Sequence, residues 1–148
     1  MKRVKATVLA TLCLGCIGSV ALAHSGVKNP AVLARMENMK SIGAGMEVLS
    51  NMVKGKVAFD AAKARAAAGD IARHSTQTVA LFEAPETDPK TEAKPLIWER
   101  FDDFTTKAGA TETLAIALSQ SLETPDDLNA GFMQLGASCK ACHRDYKD

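Results

Sequence analysis

Near the C-terminal end of the chain stand Cys139, Cys142 and His143, in the order Cys-Lys-Ala-Cys-His. On a helix, positions i, i+3 and i+4 share one face, so these three side chains point to one side. Two thiols so placed can each reach one vinyl group of the same porphyrin, and the imidazole then stands over the iron. This is the attachment signature of a c-type haem. The same residues could also form a dithiol redox pair, supply two zinc ligands, or occur by chance. A thioredoxin-like pair needs βαβ surroundings, which the sequence does not show. A zinc site needs further Cys or His nearby, and none is there. The spacing therefore predicts one haem c, attached through Cys139 and Cys142, with His143 as an iron ligand.

The elements that must carry this motif fit in one domain. The chain has 148 residues and a formal charge of +1. Its first residues read as a secretory signal: Lys2, Arg3 and Lys5, an apolar run from Ala6 to about Val20, and Ala21-Leu22-Ala23 as the cleavage site. The apolar run is short for a membrane span, which needs ~20 residues, so no stable membrane insertion is expected. Cys13 and Cys16 lie inside it, followed by Ile17 rather than His, so they are not a second haem site. Cleavage after Ala23 gives a domain over 24–148 that begins at His24. It removes three basic residues and no acids, which takes the charge from +1 to −2. Only the two motif cysteines remain. A near-neutral chain with no basic run or aromatic–basic interleaving argues against nucleic acid. Export and haem attachment agree on the periplasm or the outer face of the inner membrane, and the periplasm is expected.

The rest reads as helices punctuated by loops, with few aromatics and abundant Ala. A first helix is expected from Pro30 to Lys54, capped by Asn29 and ended by Gly55. Val32, Met36, Met39, Ile42, Met46, Leu49 and Val53 step by threes and fours, as one buried stripe would. A second helix follows from Asp60 to Leu81, then a Pro-rich loop from Pro85 to Pro95. A third is expected from Pro95 to Leu122, bent at Gly109, and a fourth from Asp126 to Tyr146. Such a pattern predicts an all-α fold, an antiparallel up-down-up-down four-helix bundle.

A haem motif at the end of a four-helix bundle resembles the class II c-type cytochromes, the cytochrome c′ family. Other segments share the likeness: Val53-Lys54-Gly55-Lys56 with Phe59-Asp60-Ala61-Ala62, then Pro95-Leu96-Ile97-Trp98, then Gly136 through His143 with Tyr146 beyond. The register set by the Lys54-Gly55 turn implies two further positions. Arg35 falls where the family has an Arg near the haem propionates. Met39 falls on the distal side of the iron. Cytochromes c′ proper carry a non-ligating residue there, leaving iron five-coordinate and open to small gases. The low-spin branch carries a ligating Met. Read by periodicity alone, Met39 is more readily an ordinary core residue beside Met36 and Met46 than a ligand. His74, between Arg73 and Ser75, reads as a solvated surface residue. Lys147 departs from the family, which has an Arg four residues after the haem His. Charge is kept, but the planar guanidinium is lost, which counts against a proximal gas site.

Together these readings predict an electron carrier and not an enzyme. His143 and Met39 would ligate the iron, with Trp98, Phe101 and the first helix's apolar stripe lining the pocket. The haem edge near Cys139 and Cys142 would be the electron exit. Partners would be other redox proteins, with a homodimer left open. Lys140, Arg144 and Lys147 would form either a basic rim for an acidic partner or an ordinary solvated face. The rival readings are a five-coordinate nitric-oxide binder, a peroxidase-like enzyme, and a structural or sensor module. The peroxidase reading needs a distal acid–base group, and the first helix has no His beside Met39.

Overall fold

The computed structural model describes residues 26–148, so the signal segment with Cys13 and Cys16, and His24, lie outside the described residues. Helix α1 spans Pro30–Val53, α2 Ala61–Leu81, α3 Leu96–Glu99, α4 Phe101–Ser121 and α5 Pro125–Tyr146. No strand occurs among the described residues. The one extended pairing is a bridge between Ala93 and Lys147.

Local chemistry sets most helix ends. Asn29 accepts from the N–H groups of Ala31 and Val32, and Pro30 opens the first turn of α1. Gly55, at φ +66°, takes the left-handed conformation that ends α1. Asp60 caps α2 through the Lys63 N–H. Thr124 and Asp127 form a reciprocal capping box at α5.

Side-chain contacts fix the antiparallel register. Asn38 meets Thr78, Gly45 meets Ala67, and Arg35 reaches the Leu81 carbonyl, so α2 descends as α1 rises. Thr76 bonds Glu112 and Arg65 bonds the Leu122 carbonyl, which runs α4 against α2. Thr111 pairs with Ser138 and Lys107 with Asp145, which runs α5 against α4. This closes a four-helix bundle of α1, α2, α4 and α5, in which α1 and α5 touch least of the neighbouring pairs.

Two apolar clusters fill the bundle. One holds Leu49, Ile71, Leu122, Leu128 and Leu135. The other holds Phe82, Ile97, Phe104 and Tyr146. Met39 packs against both. Two expectations are corrected here. The third predicted helix divides at Arg100 (φ −131°, ψ 46°) and runs unbroken through Gly109. The buried stripe of α1 is Val32, Arg35, Asn38, Ile42, Gly45, Leu49 and Met52. Met36 is exposed, and Met39, Met46 and Val53 are half-buried. The helix has two inward faces, one on α2 and one on the cavity described next.

Candidate haem site

A cavity of about 430 Å³ opens between α1 and α5. Helix α5 contributes Cys139, Cys142, His143 and Tyr146 to its wall. Helix α1 contributes Arg35, Met36, Met39 and Met46. Phe82, Ile97, Phe104 and Ala108 supply apolar surface, and Thr91–Ala93 close one edge. The two thiols and the imidazole thus share a face, as the helical spacing requires, and Met39 faces the same space from the other side. Trp98 and Phe101 do not line the cavity, contrary to expectation. They pack behind it, with the Trp98 indole N–H donating to the Phe82 carbonyl at 2.8 Å and Phe101 stacked 5.9 Å from Phe104.

The electrostatics count against thiol redox chemistry. Both cysteines are free and half-buried. Burial raises both thiols, and Cys142 is pushed up to about 11 although Lys107 pulls it the other way. A thiol so raised is a poor thiolate nucleophile, which argues against an exchange-active dithiol. Among the described residues no three His, Cys, Asp or Glu side chains converge on a metal position. Burial lowers the His143 imidazole below its ordinary value, with Lys147 adding to this and Glu92 opposing it. The neutral ring is the form that ligates a metal.

Arg35 is only 2% exposed. Its Nε donates to the Leu81 carbonyl at 2.8 Å and one terminal nitrogen to the Glu86 carbonyl at 2.7 Å. The other terminal nitrogen bonds the Ala84 carbonyl. The guanidinium lies over Phe82 and Trp98, 4.8 and 5.2 Å from the ring centres. Burial lowers its pKa and Glu86 raises it. Arg35 therefore lines the cavity while holding the chain after α2 in place.

Sequence reasoning missed several wall residues. Ser75, Thr78 and Thr111 line the cavity and are buried. Their signal lies in phase: Ser75 and Thr78 continue the buried face of Ile71 and Ala72 along α2. The loop edge was also unread. Lys94 N–H donates to the Tyr146 carbonyl at 3.0 Å and Asp148 N–H to the Glu92 carbonyl at 2.9 Å. Lys147 pairs with Glu92 at 2.8 Å, so the position that departs from the family pattern is anchored to this loop. His74 is half-buried rather than solvated and bonds Asn38 at 3.1 Å, because Asn38 sits on the α2-facing side of α1. It is not part of the cavity wall. Arg144 pairs with Asp145 at 3.0 Å, so two cations of the expected basic rim have local carboxylate partners.

The residues present fit a haem: an apolar space, two neutral thiols and a neutral imidazole on one wall, and a thioether on the other. A buried Ser75 hydroxyl without a partner also marks the wall. Comparison with known proteins agrees. A family model described as Cytochrome C' matches residues 30–147. Cytochrome c-556 of Agrobacterium fabrum is 34% identical over 142 residues, covering 95% of this chain and 94% of that protein. The solved cytochrome c prime from Shewanella frigidimarina superposes with a TM-score of 0.74 at 31% identity, covering 80% of this chain and 94% of that one. A nitric oxide complex of a mutant cytochrome c prime from Alcaligenes xylosoxidans gives 0.71 at 31% identity, over 80% and 94%. The chain belongs to the cytochrome c′ family of haem c proteins.

Proposed function

We propose that the protein is an exported, periplasmic electron carrier with His143 and Met39 as the two axial ligands of its iron. Cys139 and Cys142 hold the haem by thioether bonds. When bound, the haem supplies one-electron Fe(III)/Fe(II) cycling. The protein's own part is to hold two ligands fixed in both redox states, exclude water and limit reorganisation. The apolar walls around Phe82, Phe104 and Ile97 lower the local dielectric. Arg35 spends three of its N–H groups on carbonyls and keeps others for the propionate side. Thioether ligation raises a haem potential relative to stronger donors.

The observation that carries this reading is the position of Met39, half-buried on the cavity wall across from His143, where the two apolar clusters meet. The competing reading is a five-coordinate gas binder, a possibility raised by the nitric oxide complex of the Alcaligenes relative. An absorption spectrum separates the two. The carrier is low-spin in both redox states, shows a weak far-red sulfur-to-iron band when oxidised, and binds carbon monoxide poorly when reduced. Met39→Leu roughly conserves volume, so the fold survives; its iron becomes five-coordinate and its potential falls. Met36 and Met46 also line the cavity, so Met36→Leu and Met46→Leu are stringent controls and leave the spectrum unchanged. A wild-type protein that is high-spin and takes up carbon monoxide readily overturns the carrier reading.

A further inference from the structure

The hydroxyls on the cavity wall are not equivalent. Thr78 Oγ1 accepts from Asn38 Nδ2 at 3.2 Å and lies 3.4 Å from the His74 carbonyl. Thr111 pairs with Ser138 at 2.7 Å. Ser75 lines the same cavity and is 3% exposed, yet its Oγ has no partner among the described residues. Buried hydroxyls are normally satisfied, because leaving one unpaired costs more than a hydrogen bond gains.

The packing of α1 on α2 sets the level of this hydroxyl. Asn38 bonds both His74 and Thr78. The residues that bracket Ser75 are therefore level with the residue preceding Met39. Ser75 and Met39 line one cavity at one height, from adjacent helices.

We propose that the Ser75 hydroxyl, unpaired among the described residues, donates its hydrogen to the Met39 thioether sulfur once that sulfur binds the iron, and so tunes the potential of the site. This rests on the reading of Met39 as an axial ligand. A thioether sulfur that gives one lone pair to a metal keeps a second, which is a weak acceptor. A hydrogen bond there withdraws electron density and weakens the sulfur as a donor. The electron-poor ferric state loses more than the ferrous state, so the potential rises. Ser75 is a positioning residue, and no proton is transferred.

Ser75→Ala in the holoprotein tests this, since it deletes one buried hydroxyl oxygen that has no other partner among the described residues and leaves the packing intact. The midpoint potential falls and the far-red sulfur band shifts. Imidazole displaces the strengthened ferric sulfur with about five-fold lower affinity, the worth of one hydrogen bond. Thr78→Val removes a hydroxyl that already has partners, and leaves the band where it was. A low-spin wild type whose band, potential and imidazole affinity ignore Ser75→Ala overturns the Ser75 proposal alone. A high-spin wild type overturns the Met39 reading and this proposal with it.

Discussion

Arg35 shows how one side chain serves both the fold and the cavity. A guanidinium offers five N–H donors in a rigid fork. Here three of its contacts go to the carbonyls of Leu81, Ala84 and Glu86, at and just beyond the end of α2 where helical partners run out. Its faces rest on Phe82 and Trp98, so the charge is held by dipoles and rings. Arg35→Met buries an apolar stem and orphans the Leu81 and Glu86 carbonyls, while the Ala84 carbonyl still accepts from the Glu86 N–H at 2.8 Å. It is expected to cost about 2–4 kcal/mol in urea unfolding of the holoprotein. Arg35→Lys keeps the charge but cannot span the three acceptors, so it recovers less than half of that loss. If Lys restores wild-type stability, charge alone is what the site needs and the fork argument fails.

At the scale of elements, the sequence was most legible where a single residue type decides the outcome. Asn29, Gly55 and Asp60 each mark a helix end, because capping is local chemistry. The break at Arg100 was not legible, since neither Gly nor Pro marks it. Tertiary packing sets it: Phe104 packs on Phe82 and Tyr146 with Phe101 stacked on Phe104, while the Trp98 indole is tied to Phe82. The methionines of α1 were legible as apolar but not as a second face, because a single period describes a single stripe. The haem motif was legible because its chemistry fixes its spacing; the place of Ser75 on the cavity wall was not, because it depends on how α2 packs on α1. Glycine gives a test at this scale. A Cβ on Gly45 would stand 2.6 Å from Ile71 Cγ1 and 3.1 Å from the Ala67 carbonyl. Gly45→Ala is therefore expected to destabilise by about 1–3 kcal/mol through overpacking of α1 on α2. Gly109 meets nothing within 4 Å and sits inside α4, so Gly109→Ala stabilises by about 0.5–1 kcal/mol. Thermal or urea unfolding reads both signs. Equal effects at the two sites would refute the close-approach argument.

Across the whole molecule, carboxylates fasten the loops to the helices. Asp88 accepts from the N–H groups of Lys28, Asn29 and Lys90, which pins the Pro-rich loop to the start of α1. Asp60 and Asp127 cap α2 and α5. Asp145 joins α5 to Lys107 of α4. All four are held below the ordinary carboxylate value, first of all by hydrogen bonds: from the Lys63 N–H to Asp60, the Lys28 N–H to Asp88, the Thr124 hydroxyl to Asp127 and the Arg144 side chain to Asp145. Asp145 is lowered to about 2. A depressed folded value means that the unfolded chain binds protons first as the solution is acidified. Each group's contribution is therefore complete above its unfolded value of ~4 and is lost as pH falls through its folded value. The fold should weaken from about pH 4 down to about pH 2. Urea midpoints measured against pH give the slope. Asp88→Ala should lower stability at neutral pH and make the acid slope shallower, by about one proton at most. Because hydrogen bonds and not long-range charge lead the causes, the acid transition should persist in ~0.5 M salt, where exposed ion pairs are screened. A slope that vanishes in salt, or that is unchanged by Asp88→Ala, would show that general charge repulsion governs acid unfolding and that Asp88 is not one of the fastenings.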